Sequence, residues 1–488
     1  MFPSASRPNK TLTLLAVCLG TFMLIIDVMI VVVALPSIHA ALHTSLSDEQ
    51  WTIDAYSLSL AALLLSAGSL ADILGRRRVF TAGLIMFTAG SMLCGVAGSG
   101  PELIVFRALQ GIGGATVFAT SLALLTQTFE GRQLGMALGV WAAVINLGLG
   151  VAPVLGGLFT ELSWRWIFFI NIPVGIAAIV MTLIGVQEFR PPHPPRIDLP
   201  GGAVFTLGLV ALIYGLIESE GAGWDSGRVI IALVVAAAAL AGFTLTEHVR
   251  RQPMFDLSLL RKPTFTGGLA AAFGMNASLY AILLYLVLYL QDGLHYSALG
   301  TGVRLLVITG AAMATAIPAG RLSGHIPARW LIGPGLGLIG LGLLLMRGLD
   351  AGTGWTHLIA GMAIAGAGSG LVTPPLASTA VSVVPPQEAG MASGINSTFR
   401  QIGTAISVAV LGSLFDSRLG GATGAAVTGH YASALNEVLL VAACIAVAAG
   451  GLAFVLIRRK EVRPSASFRW PPFRYTSGVT PDSAGQVR

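Results

Sequence analysis

Residues 68–78 read Gly68-Ser-Leu-Ala-Asp72-Ile-Leu-Gly75-Arg76-Arg77-Arg78, between two long apolar runs near 51–72 and 79–98. A connection this short folds its flanking runs into a hairpin, so the arginines sit at one membrane face. Excess Lys and Arg mark the cytoplasmic face. Gly68 permits close approach of two helices, and Gly75 permits the turn that displays the arginines. Asp72 ends a span beside three cations, where it can pair with one of them or cap the helix that follows. A stop-transfer cluster needs only the arginines; the spacing Gly-x-x-x-Asp-x-x-Gly-Arg-Arg is more specific.

Outward from this hairpin the chain stays apolar. Hydrophobic residues make up 55% and charged residues 10%, against roughly 25% charged in an average soluble protein. A bilayer-crossing helix needs roughly 20 apolar residues. Fourteen such runs lie near 12–35, 51–72, 79–98, 102–124, 134–159, 166–187, 199–217, 229–246, 264–290, 299–320, 330–347, 357–379, 389–415 and 435–457. They lack strand alternation, so the expected class is an all-α polytopic membrane protein with fourteen transmembrane helices.

The cations test that reading. With the N-terminus inside, 21 of the 28 Lys and Arg residues fall in inside segments, four fall outside and three lie within spans. A miscounted span would mix the two sets, so both termini are expected in the cytoplasm. The +6 balance is spread over short loops and the C-terminal tail rather than one basic domain, which argues against nucleic acid. The polar, proline-rich stretch at 188–198 and the basic stretch at 247–263 divide the spans as six, two and six. The expected domains are a six-helix bundle at 1–187, a linker carrying two extra spans at 188–263, a second six-helix bundle at 264–457 and a disordered cytoplasmic tail at 458–488. The first apolar run is too long for a signal-peptide core and is read as an uncleaved span.

Cys18, Cys94 and Cys444 lie inside apolar runs with no metal-ligand spacing. Neither a Gly-x-x-x-x-Gly-Lys phosphate loop nor a His-Glu-x-x-His helix is present. No enzyme activity, cofactor or metal is therefore expected.

A few polar residues inside the spans stand out. Asp27 is the one acid well within an apolar run. A charge at a helix centre costs roughly 2.5–3.5 kcal/mol on insertion scales, and intramembrane acids are usually functional. Arg107 lies roughly 7 Å below the outer end of span four and Asp27 roughly 12 Å below the same face, so the two can meet if spans one and four are neighbours. Breaking such a pair would then move a proton. Span five carries Gly148, Gly150, Pro153, Gly156 and Gly157. Proline removes a helical hydrogen bond, and small residues around it make a bendable, close-packed seam, although packing alone also collects glycine. Arg400 sits roughly 17 Å from the inner face of span thirteen. It has no obvious acid among the later spans, so it either binds an anionic group or hydrogen-bonds to carbonyls. Gln110, Asn146, Asn276, Tyr280, Asn396 and Arg400 are the candidates for lining a substrate cavity.

Gly68 to Arg78, Leu103-x-x-x-Arg107-x-x-Gln110-Gly111 and Gly148-x-x-x-Ala152-Pro153-x-x-Gly156-Gly157 together resemble the major facilitator superfamily. Trp164-Arg-Trp-Ile-Phe-Phe-Ile-Asn-Ile-Pro173, Tyr289-Leu-Gln291, Gly390-Met-Ala-Ser-Gly-Ile-Asn396 and the fourteen-span plan narrow the resemblance to the drug:proton antiporters. That resemblance implies two six-helix halves around a central cavity, alternating access and proton-driven efflux of small amphipathic compounds. It implies proton coupling by Asp27 and Arg107. Gly68, Asp72, Gly75, Arg76 and Arg77 match the loop that latches the outward-open state, and Gly148, Ala152, Pro153, Gly156 and Gly157 match the antiporter hinge. Ile73 and Ala152 replace a basic residue and a glycine of the pattern. Met29 and Val32 stand where Thr and Asn are usual, which leaves the surroundings of Asp27 less polar. The expected setting is the lipid bilayer of a bacterial inner (cytoplasmic) membrane, with the chain acting as a monomer. Two rivals remain: a nutrient uptake carrier of the same fold, against which the span-five seam and the two extra spans argue, and a non-transporting membrane sensor, against which the short loops argue.

Overall fold

The computed structural model describes residues 9–188, 199–249, 257–385, 388–419 and 427–458. The expected linker at 188–198, apart from Glu188, and the expected tail beyond Arg458 lie outside them. Within the described residues the chain is helical throughout: α1 Lys10–Leu42, α2 Leu46–Leu74, α3 Arg76–Val96, α4 Gly100–Thr128, α5 Gly131–Leu162, α6 Trp166–Phe169, α7 Asn171–Gly185, α8 Leu199–Ala222, α9 Gly227–Val249, α10 Pro263–Met275, α11 Ala281–Leu288, α12 Ala298–Leu322, α13 Arg329–Leu345, α14 Leu358–Ser382, α15 Ala389–Leu419 and α16 Val427–Leu456. Among the described residues thirteen stretches are long and apolar enough to cross a membrane, α6 with α7 forming one and Pro263–Gly293 another. The apolar α13 is shorter, at 17 residues. Large apolar side chains face outward, among them Ile231 at 66% and Val455 at 69% exposure. Outward apolar side chains along helices this long and this apolar fit a chain solvated by lipid. This is a multi-pass membrane protein.

Local chemistry sets the helix ends. Asn9 caps α1 through the Leu12 amide. Ser45 and Asp48 form a reciprocal capping box at the start of α2. One residue, Gly75 at φ +109°, separates α2 from α3. A side chain there would be strained by the backbone and would also meet the Glu188 carboxylate, 2.5 Å from an ideal Cβ. Glu188 takes that space because it caps α3, accepting from the Arg77 and Arg78 amides at 3.1 and 3.2 Å. Asp72 does not cap α3; it points elsewhere, as described below.

Two apolar cores organise the molecule. One joins α1, α2, α3, α4, α5 and α7 around Phe80, Phe87, Leu124 and Trp141. The other joins α10, α11, α12, α13, α14, α15 and α16 around Ile339, Met362, Phe415 and Leu439. They meet along two seams, α5 on α12 and α2 on α15. Both seams are built on glycine. The Gly135 and Gly320 backbones touch, and an ideal Cβ on Gly139 would lie 2.9 Å from the Ala316 carbonyl. Gly68 and Gly390 touch likewise. Removing side chains lets two backbones close without a barrier of interlocked groups. The hairpin α8–α9 lies outside both cores, with α8 packed on α2 and on α15. The helical span at 263–293 is interrupted by π turns at Asn276–Tyr280 and Tyr289–Gly293, a feature frequent at functional sites.

Candidate functional site

Asp27 is fully buried in α1, and Arg107 of α4 reaches it. Arg107 Nη1 lies 2.5 Å from Asp27 Oδ2. The other carboxylate oxygen accepts from Gln110 Nε2 at 2.8 Å and Asn171 Nδ2 at 3.0 Å. Arg107 also donates to Gln110 Oε1 at 2.8 Å and to the Thr52 carbonyl at 3.1 Å. Its guanidinium lies over the Tyr56 ring, 4.3 Å from the centroid. Asn171 is held in turn by Ser91 Oγ at 3.0 Å, which donates to the Phe168 carbonyl at 2.9 Å. Five helices, α1, α2, α3, α4 and α7, thus converge on one carboxylate.

Glycine brings α4 close enough. An ideal Cβ on Gly111 would meet the Tyr56 carbonyl at 2.5 Å, and one on Gly113 would meet the Phe87 amide at 2.5 Å. Bulk at either position would push α4 off α2 or α3 and withdraw Arg107 and Gln110 from Asp27. A buried ion pair survives only when its remaining donors and acceptors are satisfied, and here both oxygens of the acid are. The environment of Asp27 is therefore polar, Met29 and Val32 notwithstanding. The polar groups come from α4 and α7 rather than from α1 itself, and neighbours on one helix do not reveal them. Gln110, a cavity candidate by sequence, is committed to this network. Asn171 and Ser91 carried no assigned role; the one signal for Asn171 was a carboxamide within an apolar run.

The second cluster lies on the α2–α15 seam. Asp72 Oδ1 accepts from Arg76 Nε and Nη2 at 3.1 and 2.9 Å. The same carboxylate accepts from the Gly390 amide at 3.2 Å and the Met391 amide at 2.9 Å. Those amides are among the unpaired donors of the first turn of α15. Asp72 caps a helix in the other core, across the seam, while Arg76 neutralises it and donates to the Ala123 carbonyl of α4 at 3.3 Å. Asp72 and Arg76 are 5% and 2% exposed. Arg77 donates to the Leu183 carbonyl at 2.6 Å.

The glycines of α5 serve two faces. Gly148 and Gly156 rest on Ile25 and Val33 of α1, either side of Asp27. Gly150 rests on Thr309 and Leu306 of α12. Gly157 has open space around it, and Ala152 is fully buried. Pro153 lies within the unbroken helix Gly131–Leu162. The remaining cavity candidates separate. Asn146 and Asn276 donate to their own helices, to the carbonyls of Ala142 and Ala272. Arg400, 7% exposed, interacts electrostatically with Tyr280. Among the described residues no group of His, Cys, Asp or Glu is placed to hold a metal.

The pattern of the Major Facilitator Superfamily matches residues 17–408. The chain belongs to the major facilitator superfamily. Members of this superfamily are transporters rather than enzymes. The chain is 37% identical over 410 residues to the multidrug resistance protein Stp of Mycobacterium tuberculosis (strain CDC 1551 / Oshkosh), covering 83% of this chain and 76% of that one. It is 35% identical over 426 residues to the tetracenomycin C resistance and export protein of Streptomyces glaucescens, covering 86% and 78%. Among solved structures, the proton:xylose symporter XylE superposes with a TM-score of 0.67 over 94% of this chain and 98% of that one, at 12% identity. At that identity the likeness speaks for the major facilitator fold alone.

Proposed function

We propose that this chain is a proton-coupled exporter of small amphipathic drugs or an antibiotic in a bacterial inner membrane, working by alternating access. The observation that carries the reading is the buried Asp27–Arg107 pair, in a chain whose relatives are named resistance and export proteins. In this reading α13 is the fourteenth span, both termini are cytoplasmic and the monomer is the working unit. Residues 1–187 and 264–457 are the two moving halves, and 188–263 supplies the extra pair of spans.

The mechanism follows from the charges. With Asp27 ionised and paired, the α1–α4 contact is tight. A proton arriving from outside neutralises Asp27, and Arg107 loses its counter-charge in a medium that penalises a lone cation. The helices then repack. α5 transmits the change, because its glycines touch α1 beside Asp27 on one face and α12 of the other half on another. The Asp72 cap on α15 opens, the cavity turns to the cytoplasm, and drug enters as the proton leaves. Drug susceptibility across a compound panel tests this, in cells lacking their own pumps and expressing wild type or Asp27→Asn. Resistance conferred by wild type and lost in the mutant is expected. Equal resistance from both removes Asp27 from coupling.

A further inference from the structure

The second core holds a cation that the Asp27 mechanism does not use. Arg400 sits deep in α15, 7% exposed. No carboxylate lies within ion-pair distance of it among the described residues, and its guanidinium donates to no carbonyl or carboxamide there. A lone cation at that depth is costly even on the gentlest scale. Arg107, buried to a similar degree, has an acid, a carboxamide, a carbonyl and an aromatic face to offset that cost. Arg400 has only the Tyr280 phenol beside it, as a charge partner and a loose hydrogen-bond partner.

The groups around Arg400 are also short of partners. Tyr280 Oη is buried without a well-formed hydrogen bond, and so is Asn396 Oδ1, one turn before Arg400 on α15. Asn396 is 3% exposed. Tyr280 closes the π turn Asn276–Tyr280, whose extra residue shifts it out of the helical register of α10. α15 is locked against this span on the C-terminal side of Arg400: Gly403 rests on the Phe273 carbonyl, and Ser407 Oγ donates to the Ala277 carbonyl. A rigid frame therefore presents a planar cationic fork, a phenol and a free carbonyl oxygen, none of them fully satisfied by the protein. A mere structural arginine would be expected to spend its donors on backbone carbonyls, as Arg165 and Arg347 do.

We propose that Arg400, Tyr280 and Asn396 form an anion-binding subsite for the substrate, and that the exported compound is an amphiphile carrying a carboxylate or acidic phenol together with a hydrogen-bond donor. Arg400 takes the anionic group through its paired N–H donors, and Tyr280 Oη donates to the same group. Asn396 Oδ1 accepts from the ligand's hydroxyl or amine. The proposal rests on the export reading and names its substrate class. It has a consequence for energetics. One anion leaving for each proton entering moves two charges in the same electrical sense, so membrane potential as well as the pH gradient drives export. A cationic drug exchanged for one proton moves no net charge.

The test measures binding to the purified full chain in lipid nanodiscs, with no gradient present, so it does not depend on proton coupling. The probes are 6-hydroxy-2-naphthoate, the neutral 6-hydroxy-2-naphthamide and the cation 2-naphthylmethylammonium. Wild type is expected to bind the naphthoate about tenfold or more tightly than the amide. Arg400→Gln is expected to erase that preference, Arg400→Lys to keep part of it and Tyr280→Phe to reduce it. Thermal unfolding of each variant identifies loss of folding, and if Arg400→Gln does not fold, the partial preference expected of Arg400→Lys decides instead. Equal binding of the three probes by wild type, no binding of the naphthoate, or an undiminished preference in Arg400→Gln overturns the subsite. Any of those results leaves the coupling role of Asp27 untouched, and failure of the Asp27 test leaves this preference standing.

Discussion

At the scale of single residues the two buried ion pairs differ in what holds them, and the difference predicts different mutants. Asp27 and Arg107 belong to one core, and the bonds that satisfy them involve four helices, α1, α2, α4 and α7. Removing one member of such a pair costs about 3–5 kcal/mol, because the partner stays buried and charged. Asp27→Asn is therefore expected to fold less stably by a few kcal/mol, read as a lower unfolding temperature in detergent, and to lose coupled transport. Asn171→Ala removes one of three donors to the carboxylate and is expected to cost about 1–3 kcal/mol, with coupling weakened rather than lost. A drug:proton ratio unchanged in Asn171→Ala would show that Asn171 only packs. The presence of Asp27 and Arg107, and their matching depths, were legible in the sequence as an acid and a base in oil. Their polar shell was not, because Gln110, Asn171 and Ser91 come from three further positions that only the packing brings together.

At the scale of helices the α2–α15 seam is the part most exposed to test. Asp72 joins a span end in one core to the first turn of a helix in the other. The Gly-x-x-x-Asp-x-x-Gly-Arg-Arg spacing announced a special turn and the acid's pairing with a cation. It could not announce that the acid caps α15, since the receiving amides are more than 300 residues away and carry no side-chain signature. Gly390→Ala would place a Cβ about on the Asp72 carboxylate, 2.6 Å from Oδ1. It is expected to hold the seam open, so that a cysteine placed on the cytoplasmic face of the cavity reacts about tenfold faster with a thiol reagent than in wild type. Asp72→Asn is expected to act in the same direction but more weakly, because the carboxamide oxygen still accepts one amide. Unchanged reactivity in both variants would mean that this seam does not gate access.

At the scale of the whole molecule the hairpin α8–α9 distinguishes this chain from a plain pair of six-helix bundles. It straddles the α2–α15 seam: Thr206 Oγ1 lies 3.4 Å from Ser66 Oγ of α2, and Trp224 Nε1 donates to Ser413 Oγ of α15 at 3.0 Å. The sequence showed that two extra spans exist but not where they lie, because an amphipathic face is no guide when lipid surrounds the helix. Charge asymmetry makes the overall prediction here. In a variant without native cysteines, Asp225→Cys between α8 and α9 is expected to react with a membrane-impermeant thiol reagent added to intact cells, and Arg132→Cys at the start of α5 is expected to react only after lysis. The opposite pattern would invert the topology, and with it the direction of every step proposed for the cycle.

Coupling rests on one carboxylate exchanging its proton as the carrier turns over, and that exchange can be watched in purified protein. Proteoliposomes with a trapped pH-sensitive dye, given an acid lumen and then the best-exported compound of the susceptibility panel, report proton release driven by substrate. Wild type is expected to discharge the gradient on addition of substrate, and Asp27→Asn is expected to bind the compound and leave the gradient intact. Substrate-driven proton release at the wild-type rate by Asp27→Asn would contradict this coupling.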